Sequence, residues 1–298
     1  MESMSSRALV LGATGMLGST LLREFRGAGI ETIAAARRPE SVEPGAEVRA
    51  FDAQRDDVAP ALEGLEPGDY IVNCIGVIRH LMRDDDAGDR LRAVEINAVF
   101  PYRLAAAAES RGLHIVQIAT DCVYAGTIGR YDEAAAHDAT DVYGQSKSLG
   151  EVPAANVLNL RTSIIGPELG SSTSLLEWVL SHSQGERLTG YTDHLWNGVT
   201  TKAFARVAAG IVQRGDRLAG TRHLVPSDAV SKAELVRLIA AAWGRDDLVI
   251  EDTTTARPID RTLSTRDPEL NRRLWAQGGY DEPPSIAEMI AELSVLRA

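Results

Sequence analysis

Gly12-Ala13-Thr14-Gly15-Met16-Leu17-Gly18 is the stretch that decides the fold of this chain. It follows a short apolar run at residues 7–11 and leads into Leu21, Leu22 and Phe25 at helical spacing. A strand, a glycine turn and a helix in this order are typical of a dinucleotide-binding unit, whose helix N-terminus offers N–H groups to a pyrophosphate. The alternative is a strand-to-helix turn without a ligand. The candidate cofactor-binding residues here are Gly12, Thr14, Gly15, Met16, Leu17 and Gly18.

Working outward from this turn, further apolar runs alternate with stretches of helical periodicity. They predict strands at residues 31–36, 47–51, 70–75, 114–119 and 157–161. Such alternation predicts an α/β fold with a doubly wound parallel sheet. The pattern loosens after residue 165. We therefore expect a dinucleotide-binding Rossmann domain at 1–165 and a smaller substrate-binding region at 166–298, whose helix at 200–213 packs back on the first domain.

Two arginines follow the second predicted strand. Arg37 and Arg38 favour NADPH, because arginine accommodates the 2′-phosphate whereas an NAD-selective site places an acidic side chain near this point. NADH stays an alternative, and both arginines could instead be solvated loop charges.

The carboxyl ends of the next strands supply further candidates for contact with the cofactor. Ligands bind at this edge of a parallel sheet. Asp52 could accept from an adenine amino group or cap the following helix, and Cys74 is better explained as an apolar filler than as a reactive thiol. The candidates are Asp52, Ala53, Cys74, Ile75 and Gly76.

Tyr143 and Lys147 are spaced four residues apart, just after the fifth strand. On a helix this spacing places both side chains on one face. Only three of the 31 basic residues are lysines, so a lysine here is notable. We expect its ammonium to lower the pKa of the phenol, so that Tyr143 can donate a proton to a carbonyl oxygen. A surface helix with an incidental pair is the alternative.

Two other stretches carry polar or aromatic groups toward the predicted site. Thr120, Asp121 and Cys122 end the fifth strand, and Trp196 and Asn197 lie in an aromatic and polar loop at residues 190–198. The loop could line a substrate site, although packing of Trp196 against the sheet explains it equally well.

Composition limits the partners. A net charge of −11 and a pI near 5.1 argue against nucleic acid and anionic membranes. No apolar run approaches the ~20 residues of a membrane span. Cys74 and Cys122 lack metal-type spacing, so we expect no metal, reduced thiols and a cytoplasmic location.

With these residues in place, the chain resembles the extended short-chain dehydrogenase/reductases, most of all the branch of dTDP-4-dehydrorhamnose reductase and related reductases of sugar nucleotides. The resemblance implies that Thr120 binds the substrate carbonyl, Tyr143 donates the proton and Lys147 holds the nicotinamide ribose. It also implies reduction of the C4 keto group of a nucleotide-linked 4-keto-6-deoxy sugar, and a homodimer formed by helices. Arg257 becomes a candidate phosphate partner, with a structural salt bridge as the alternative. The matching pieces are the glycine turn, residues 119–124, 143–147, Gly150-Glu151, residues 160–163 and Arg257-Pro258.

The chain departs from that branch at three positions near the sugar. Cys122 replaces a tyrosine, Ile164 replaces a tryptophan, and residues 198–201 lack the usual proline. Cys122 also stands where the related dehydratases carry a second carboxylate, so dehydration is not expected. An NAD-dependent sugar-nucleotide epimerase, a ketoreductase for a non-sugar ketone and a non-catalytic NADP-binding regulatory subunit remain alternatives.

Overall fold

A seven-stranded parallel sheet forms the centre of the protein, in a computed structural model that describes residues 7–168 and 174–295. The strands are β1 (Ala8–Leu11), β2 (Thr32–Ala36), β3 (Glu47–Ala50), β4 (Tyr70–Asn73), β5 (His114–Ala119), β6 (Val157–Arg161), β7 (Ile164–Ile165), β8 (Arg187–Tyr191), β9 (His194–Trp196), β10 (Val199–Thr200), β11 (Gly220–His223), β12 (Val230–Ser231), β13 (Val249–Thr253) and β14 (Ile259–Asp260). The large sheet has the order β11-β6-β5-β4-β1-β2-β3. The predicted doubly wound α/β fold is confirmed.

Helices cover both faces of this sheet. They are α1 (Met16–Gly27), α2 (Ala87–Val94), α3 (Phe100–Glu109), α4 (Val142–Leu149), α5 (Leu175–Leu180), α6 (Thr201–Arg214), α7 (Lys232–Ala242), α8 (Pro268–Gln277) and α9 (Ile286–Ser294). Helix α9 begins with a serine cap, because Oγ of Ser285 accepts from the backbone N–H of Glu288.

Strand β1 shows why the sheet is buried on both sides. Ala8 and Val10 belong to one hydrophobic cluster, and Leu9 and Leu11 belong to another. Successive side chains of a strand point to opposite faces, so each face of the sheet carries its own core. Burial of one such leucine contributes about 1.5–3 kcal/mol.

Helix α6 packs against α1, with Phe204 and Phe25 in the same buried cluster. The sequence-based expectation for residues 200–213 is that they pack back on the first domain. The expected boundary at residue 165 does not divide the sheet, however, because β11 pairs with β6 through Leu158↔Gly220 to His223↔Arg161. The pairing satisfies the backbone of β6 on its outer edge, so the later region completes the central sheet.

The sheet reverses its strand order between β1 and β4. Strands β2 and β3 lie on one side of β1, and β4, β5 and β6 lie on the other. The carboxyl ends of β1 and β4 therefore open a crevice at the topological switch point, which is where ligands bind in such folds.

The helical segment before β5 is not a regular α-helix throughout. Helix α2 passes through a π-helical turn, Glu95–Val99, before it continues as α3. Such turns insert an extra residue and are frequent at functional sites. Within 7–168 and 174–295, no helix has the length and apolar character needed to cross a membrane.

Candidate active site

The glycine turn after β1 has the conformation that its sequence predicts. Gly12 has a φ of +80°, which favours glycine, and a side chain there would approach the backbone of Cys74 to 3.2 Å. A β-carbon on Gly18 would lie 2.2 Å from the carbonyl oxygen of Gly12. The turn can therefore form only with glycine at these two positions, and Gly18 allows α1 to pack closely on it.

The N-terminus of α1 is free to bind an anion. Gly15 is the N-cap, no side chain caps the helix, and its first turn contains no acidic residue. The first N–H groups of a helix carry a partial positive charge. A dinucleotide fits this turn, because its pyrophosphate would be bound by these N–H groups.

Two adjoining cavities extend along the carboxyl edge of the sheet. One has a volume of about 430 Å³ and the other about 220 Å³. The larger is bordered by Met16, Leu17, Thr120, Asp121, Cys122, Tyr143 and Lys147, and the smaller by Gly12, Ala36, Arg37, Asp52 and Ala53. Both are bordered by Thr14, Gly15, Cys74, Ile75 and Gly76. The structure thus brings the predicted catalytic residues, and all of the predicted cofactor residues except Gly18 and Arg38, to one continuous groove.

Helix α4 carries Tyr143 and Lys147 into the larger cavity. Its N-cap is Asp141, whose side chain accepts from the N–H of Gly144 at 2.9 Å. A β-carbon on Gly144 would lie 2.4 Å from the carbonyl oxygen of Cys122. This close approach holds the start of α4 against the end of β5, so that Tyr143 contacts Thr120.

Burial changes the electrostatics that the sequence predicts for this pair. The pKa of Tyr143 is raised, mainly because the phenol is buried and further because of Cys122, whereas a hydrogen bond with Thr120 lowers it. The sequence predicts that Lys147 lowers this pKa, but the net direction is upward, and Lys147 is not among its main causes. Desolvation also lowers the pKa of Lys147 to about 8, against the effect of Glu151.

Lys147 is held by the sheet as well as by its own helix. Its Nζ donates to the carbonyl oxygen of Ile118 at 2.8 Å, and only 8% of the residue is exposed. With a pKa of about 8, the amine is mostly charged at pH 7. It therefore supplies a fixed positive charge and two remaining N–H donors at the cavity.

Both cysteines border the larger cavity, and neither is activated. Burial raises the pKa of Cys74, and burial together with the charge of Asp121 raises that of Cys122 to about 12. Thiols of this kind are poor nucleophiles at neutral pH, which agrees with the interpretation of Cys74 as a filler.

Four predicted binding residues take other positions. Arg38 and Arg257 are exposed and do not border the two cavities. Nε1 of Trp196 donates to Oγ of Ser163 at 2.9 Å. The amide of Asn197 binds both backbone groups of Leu263. Trp196 therefore packs inside the protein, which was the alternative to a role in the substrate site. The side chain of Asn197 is bound to the backbone of Leu263.

Asp52 follows neither of its two predicted roles in full. It borders the smaller cavity, where an adenine could lie, but its carboxylate accepts from the N–H of Gln54 at 3.0 Å. The residues directly after Asp52 form a turn. Asp52 therefore stabilises this turn and does not cap a helix.

The sequence does not predict which cations act on Asp121, namely Arg261 and Lys232. The positive charges of Arg261 and Lys232 both lower the pKa of Asp121. Lys232 lies over the ring of Trp196, 5.3 Å from its centre, and Nε of Arg261 donates to the carbonyl oxygen of Tyr124 at 2.7 Å. Lys232 is one of only three lysines, but nothing local in the sequence places either residue beside β5.

Asn97 was also missed. It lies in the π-helical turn, is buried, and its amide donates to Oγ of Ser146 at 3.1 Å and to the carbonyl oxygen of Val77 at 2.9 Å. It therefore links α4 to the segment that follows β4. The sequence did not predict the π-helical turn in which this buried side chain lies.

Together the parallel sheet, the glycine turn and the Thr120, Tyr143 and Lys147 cluster define an oxidoreductase of the extended short-chain dehydrogenase/reductase class. Residues 6–294 match the family described as RmlD substrate binding domain, and the chain belongs to this family. The resemblance seen in the sequence is confirmed.

Individual relatives agree with this assignment. The chain is 25% identical over 284 residues to dTDP-4-keto-6-deoxy-D-glucose reductase of Streptomyces niveus, covering 93% of this chain and 92% of that protein. It is 26% identical to a probable low-salt glycan biosynthesis reductase of Haloferax volcanii, over 85% of each chain. The crystal structure of dTDP-4-dehydrorhamnose reductase from Bacillus anthracis in complex with NADP superposes with a TM-score of 0.78 at 20% identity, covering 98% of this chain and 100% of that one.

Proposed function

We propose that the protein catalyses the NADPH-dependent reduction of a keto group, at C4 of a nucleotide-diphosphate-linked 4-keto-6-deoxy sugar. The observation that carries this proposal is the meeting of Thr120, Tyr143 and Lys147 at a cavity continuous with the groove along the glycine turn. Two further findings support it: the relative from Streptomyces niveus is named for a reduction of this kind, and Arg37 borders the smaller cavity where a 2′-phosphate could bind.

The reaction needs a hydride for carbon and a proton for oxygen. When bound, the reduced nicotinamide supplies the hydride to the carbonyl carbon. Tyr143 gives its phenolic proton to the carbonyl oxygen, which yields an alcohol and leaves a phenolate. The raised pKa of Tyr143 keeps the phenol protonated before each turnover, and the charged Lys147 stabilises the negative charge that develops nearby.

The diphosphate of the substrate requires positive charge in an otherwise acidic protein. None of three basic residues, Lys232, Arg257 and Arg261, lines the larger cavity. The positive charges of Lys232 and Arg261 nevertheless act on Asp121, which borders it, whereas Arg257 is exposed. Guanidinium groups bind phosphate oxygens through paired hydrogen bonds. We therefore assign the diphosphate to Arg261 and Lys232, and this assignment replaces Arg257.

The family resemblance predicts a homodimer formed by helices. Helices α2, α3 and α4 expose large apolar side chains, among them Leu91 (58% exposed), Tyr102 (49%) and Leu149 (61%). A second copy of the chain would bury these residues. Sedimentation of the wild-type protein and of a Tyr102→Glu, Leu149→Glu double variant tests this, since only the wild type should have the mass of a dimer.

A panel of 4-keto sugar nucleotides, presented with NADPH and separately with NADH, tests the proposed reaction. Oxidation of the cofactor is followed at its absorbance near 340 nm, and the product alcohol is identified by NMR. A simple non-sugar ketone and a 4-hydroxy sugar nucleotide are included. Turnover of the ketone alone would favour a non-sugar ketoreductase, and inversion of the sugar without net cofactor oxidation would favour an epimerase.

A further inference from the structure

The hydroxyl group of Thr120 forms hydrogen bonds with the two residues that follow it in the chain. Its Oγ1 accepts from the backbone N–H of Cys122 and donates its proton to Oδ1 of Asp121, each at 3.2 Å. A hydroxyl has one proton and two acceptor sites. Because the proton is given to Asp121, Thr120 has no proton left to donate to another group.

This arrangement conflicts with the role that Thr120 is expected to have in reduction. A carbonyl oxygen that gains negative charge is stabilised by donors directed at it. With its proton on the side of Asp121, Thr120 has no donor for that oxygen. Of the two hydroxyl groups of Thr120 and Tyr143, only that of Tyr143 can then donate to the substrate oxygen.

Asp121 lies where its protonation state can change. It is 8% exposed, and its carboxyl group faces charges from several elements: the cations of Lys232 on α7 and Arg261 after β14, the thiol of Cys122 and the phenol of Tyr143 on α4. Burial raises the pKa of Asp121, whereas Arg261 and Lys232 oppose this change.

We propose that Asp121 is a positioning residue that decides whether Thr120 donates a hydrogen bond to the substrate. When the carboxylate is ionised, it holds the proton of Thr120, and the substrate oxygen receives one donor. When the carboxyl is protonated, its own O–H donates to Oγ1 of Thr120, whose proton then turns to the cavity as a second donor. No covalent bond changes in this step. The inference rests on the proposed function, because it concerns the reduction of a carbonyl group.

The hydrogen bond itself is testable without any substrate. Titration of Asp121 is followed by NMR in protein labelled with ¹³C at the aspartate carboxyl carbons, and Asp121→Asn identifies its resonance. Thr120→Val removes the donor, so the pKa of Asp121 should rise by about one unit. Thr120→Ser keeps the hydroxyl and should leave the pKa unchanged. An unchanged pKa in Thr120→Val would overturn the inference.

The pH profile of turnover tests the consequence. In the wild type, kcat should rise about tenfold as Asp121 becomes protonated, since one more hydrogen bond acts on the transition state. Asp121→Asn and Thr120→Val should both lose this rise, and Thr120→Ser should keep it. Persistence of the rise in Asp121→Asn would contradict the proposal.

Two controls distinguish failure of this inference from misfolding of a variant and from failure of the proposed function. Unfolding temperature and NADPH affinity are measured for every variant, and the two Thr120 variants carry the test if Asp121→Asn does not fold. If no 4-keto sugar nucleotide is reduced by the wild type, the proposed function fails, whereas the titration of Asp121 still decides whether Thr120 gives its proton to that residue.

Discussion

Arg161 and Glu151 form a buried ion pair with two parallel hydrogen bonds. Nε of Arg161 donates to Oε1 of Glu151 at 2.9 Å and Nη2 donates to Oε2 at 2.6 Å, while the two side chains are 1% and 7% exposed. The pair joins β6 to the segment that follows α4. It therefore fixes the end of the helix that carries Tyr143 and Lys147.

Loss of this pair should destabilise the protein strongly. In Glu151→Gln the guanidinium of Arg161 stays buried without its counter-charge, and we expect the free energy of unfolding to fall by about 3–5 kcal/mol. Urea denaturation measures this change. The matched control is Glu251→Gln, because Glu251 and Arg187 form an exposed ion pair, whose loss should cost less than ~1 kcal/mol. Similar losses of unfolding free energy in the two variants would contradict the conclusion that the Arg161–Glu151 pair is buried.

Gly18 and Gly27 lie on the same helix and should respond oppositely to alanine. In Gly18→Ala the new methyl group would collide with the carbonyl oxygen of Gly12, so the turn must shift and NADPH affinity should fall more than tenfold. Gly27 has no atom within 4 Å of such a methyl group, and Gly27→Ala should retain affinity and gain roughly 0.5 kcal/mol of stability. Fluorescence titration with NADPH measures affinity. Normal binding by Gly18→Ala would exclude this turn as the pyrophosphate site.

Tyr143 should be essential for turnover and dispensable for cofactor binding. Tyr143→Phe removes only the hydroxyl that donates the proton, and kcat should fall by about 10²- to 10⁴-fold. The Kd for NADPH should stay within about threefold of wild type. Turnover near the wild-type rate would exclude Tyr143 as the proton donor. Unchanged biological activity of this variant would favour a regulatory subunit.

The lowered pKa of Lys147 predicts two pH effects. Because the free protein loses the ammonium above a pKa of about 8, kcat/KM should fall above that pH. The unfolded lysine titrates near 10.5, so between pH 8 and 10.5 the unfolded chain binds more protons. The contribution of Lys147 to the free energy of unfolding should therefore rise as the pH increases across this window. Below pH 8 the folded protein bears the full free-energy cost of burying the charged amine.

Lys147→Met provides the comparison for both effects. Methionine does not titrate, so the difference in unfolding free energy between wild type and variant should depend on pH only in that window. Chemical denaturation at several pH values measures it. The same pH dependence in both proteins would show that Lys147 is not desolvated.

Arg261 and Arg257 separate the two possible positions of the diphosphate. Arg261→Ala should raise KM for the sugar nucleotide about tenfold, because it removes a charge-assisted hydrogen bond. Arg257→Ala should change KM less than about twofold, since its side chain is exposed and away from the cavity. Steady-state kinetics with the substrate found in the panel checks both, and a larger effect at Arg257 would reverse the assignment.

The sequence by itself determined the features that depend on near neighbours in the chain. The glycine turn, the parallel alternation of strands and helices, and the placement of Tyr143 and Lys147 on one helix face follow from local sterics and periodicity. The strand order also brought Thr120 and Gly12 to one edge, because all these strands are parallel.

Only the tertiary structure decided the pairings between distant residues and the electrostatics of the site. It added β11 to the central sheet, placed Lys232 and Arg261 near Asp121 in place of Arg257, and raised the pKa of Tyr143 where the sequence had predicted a lower one. The physical reason is that these outcomes depend on burial and on contacts between residues that are not neighbours in the chain. Local spacing brings two side chains together on a helix, but the surrounding packing determines how much water reaches them and which charges they meet.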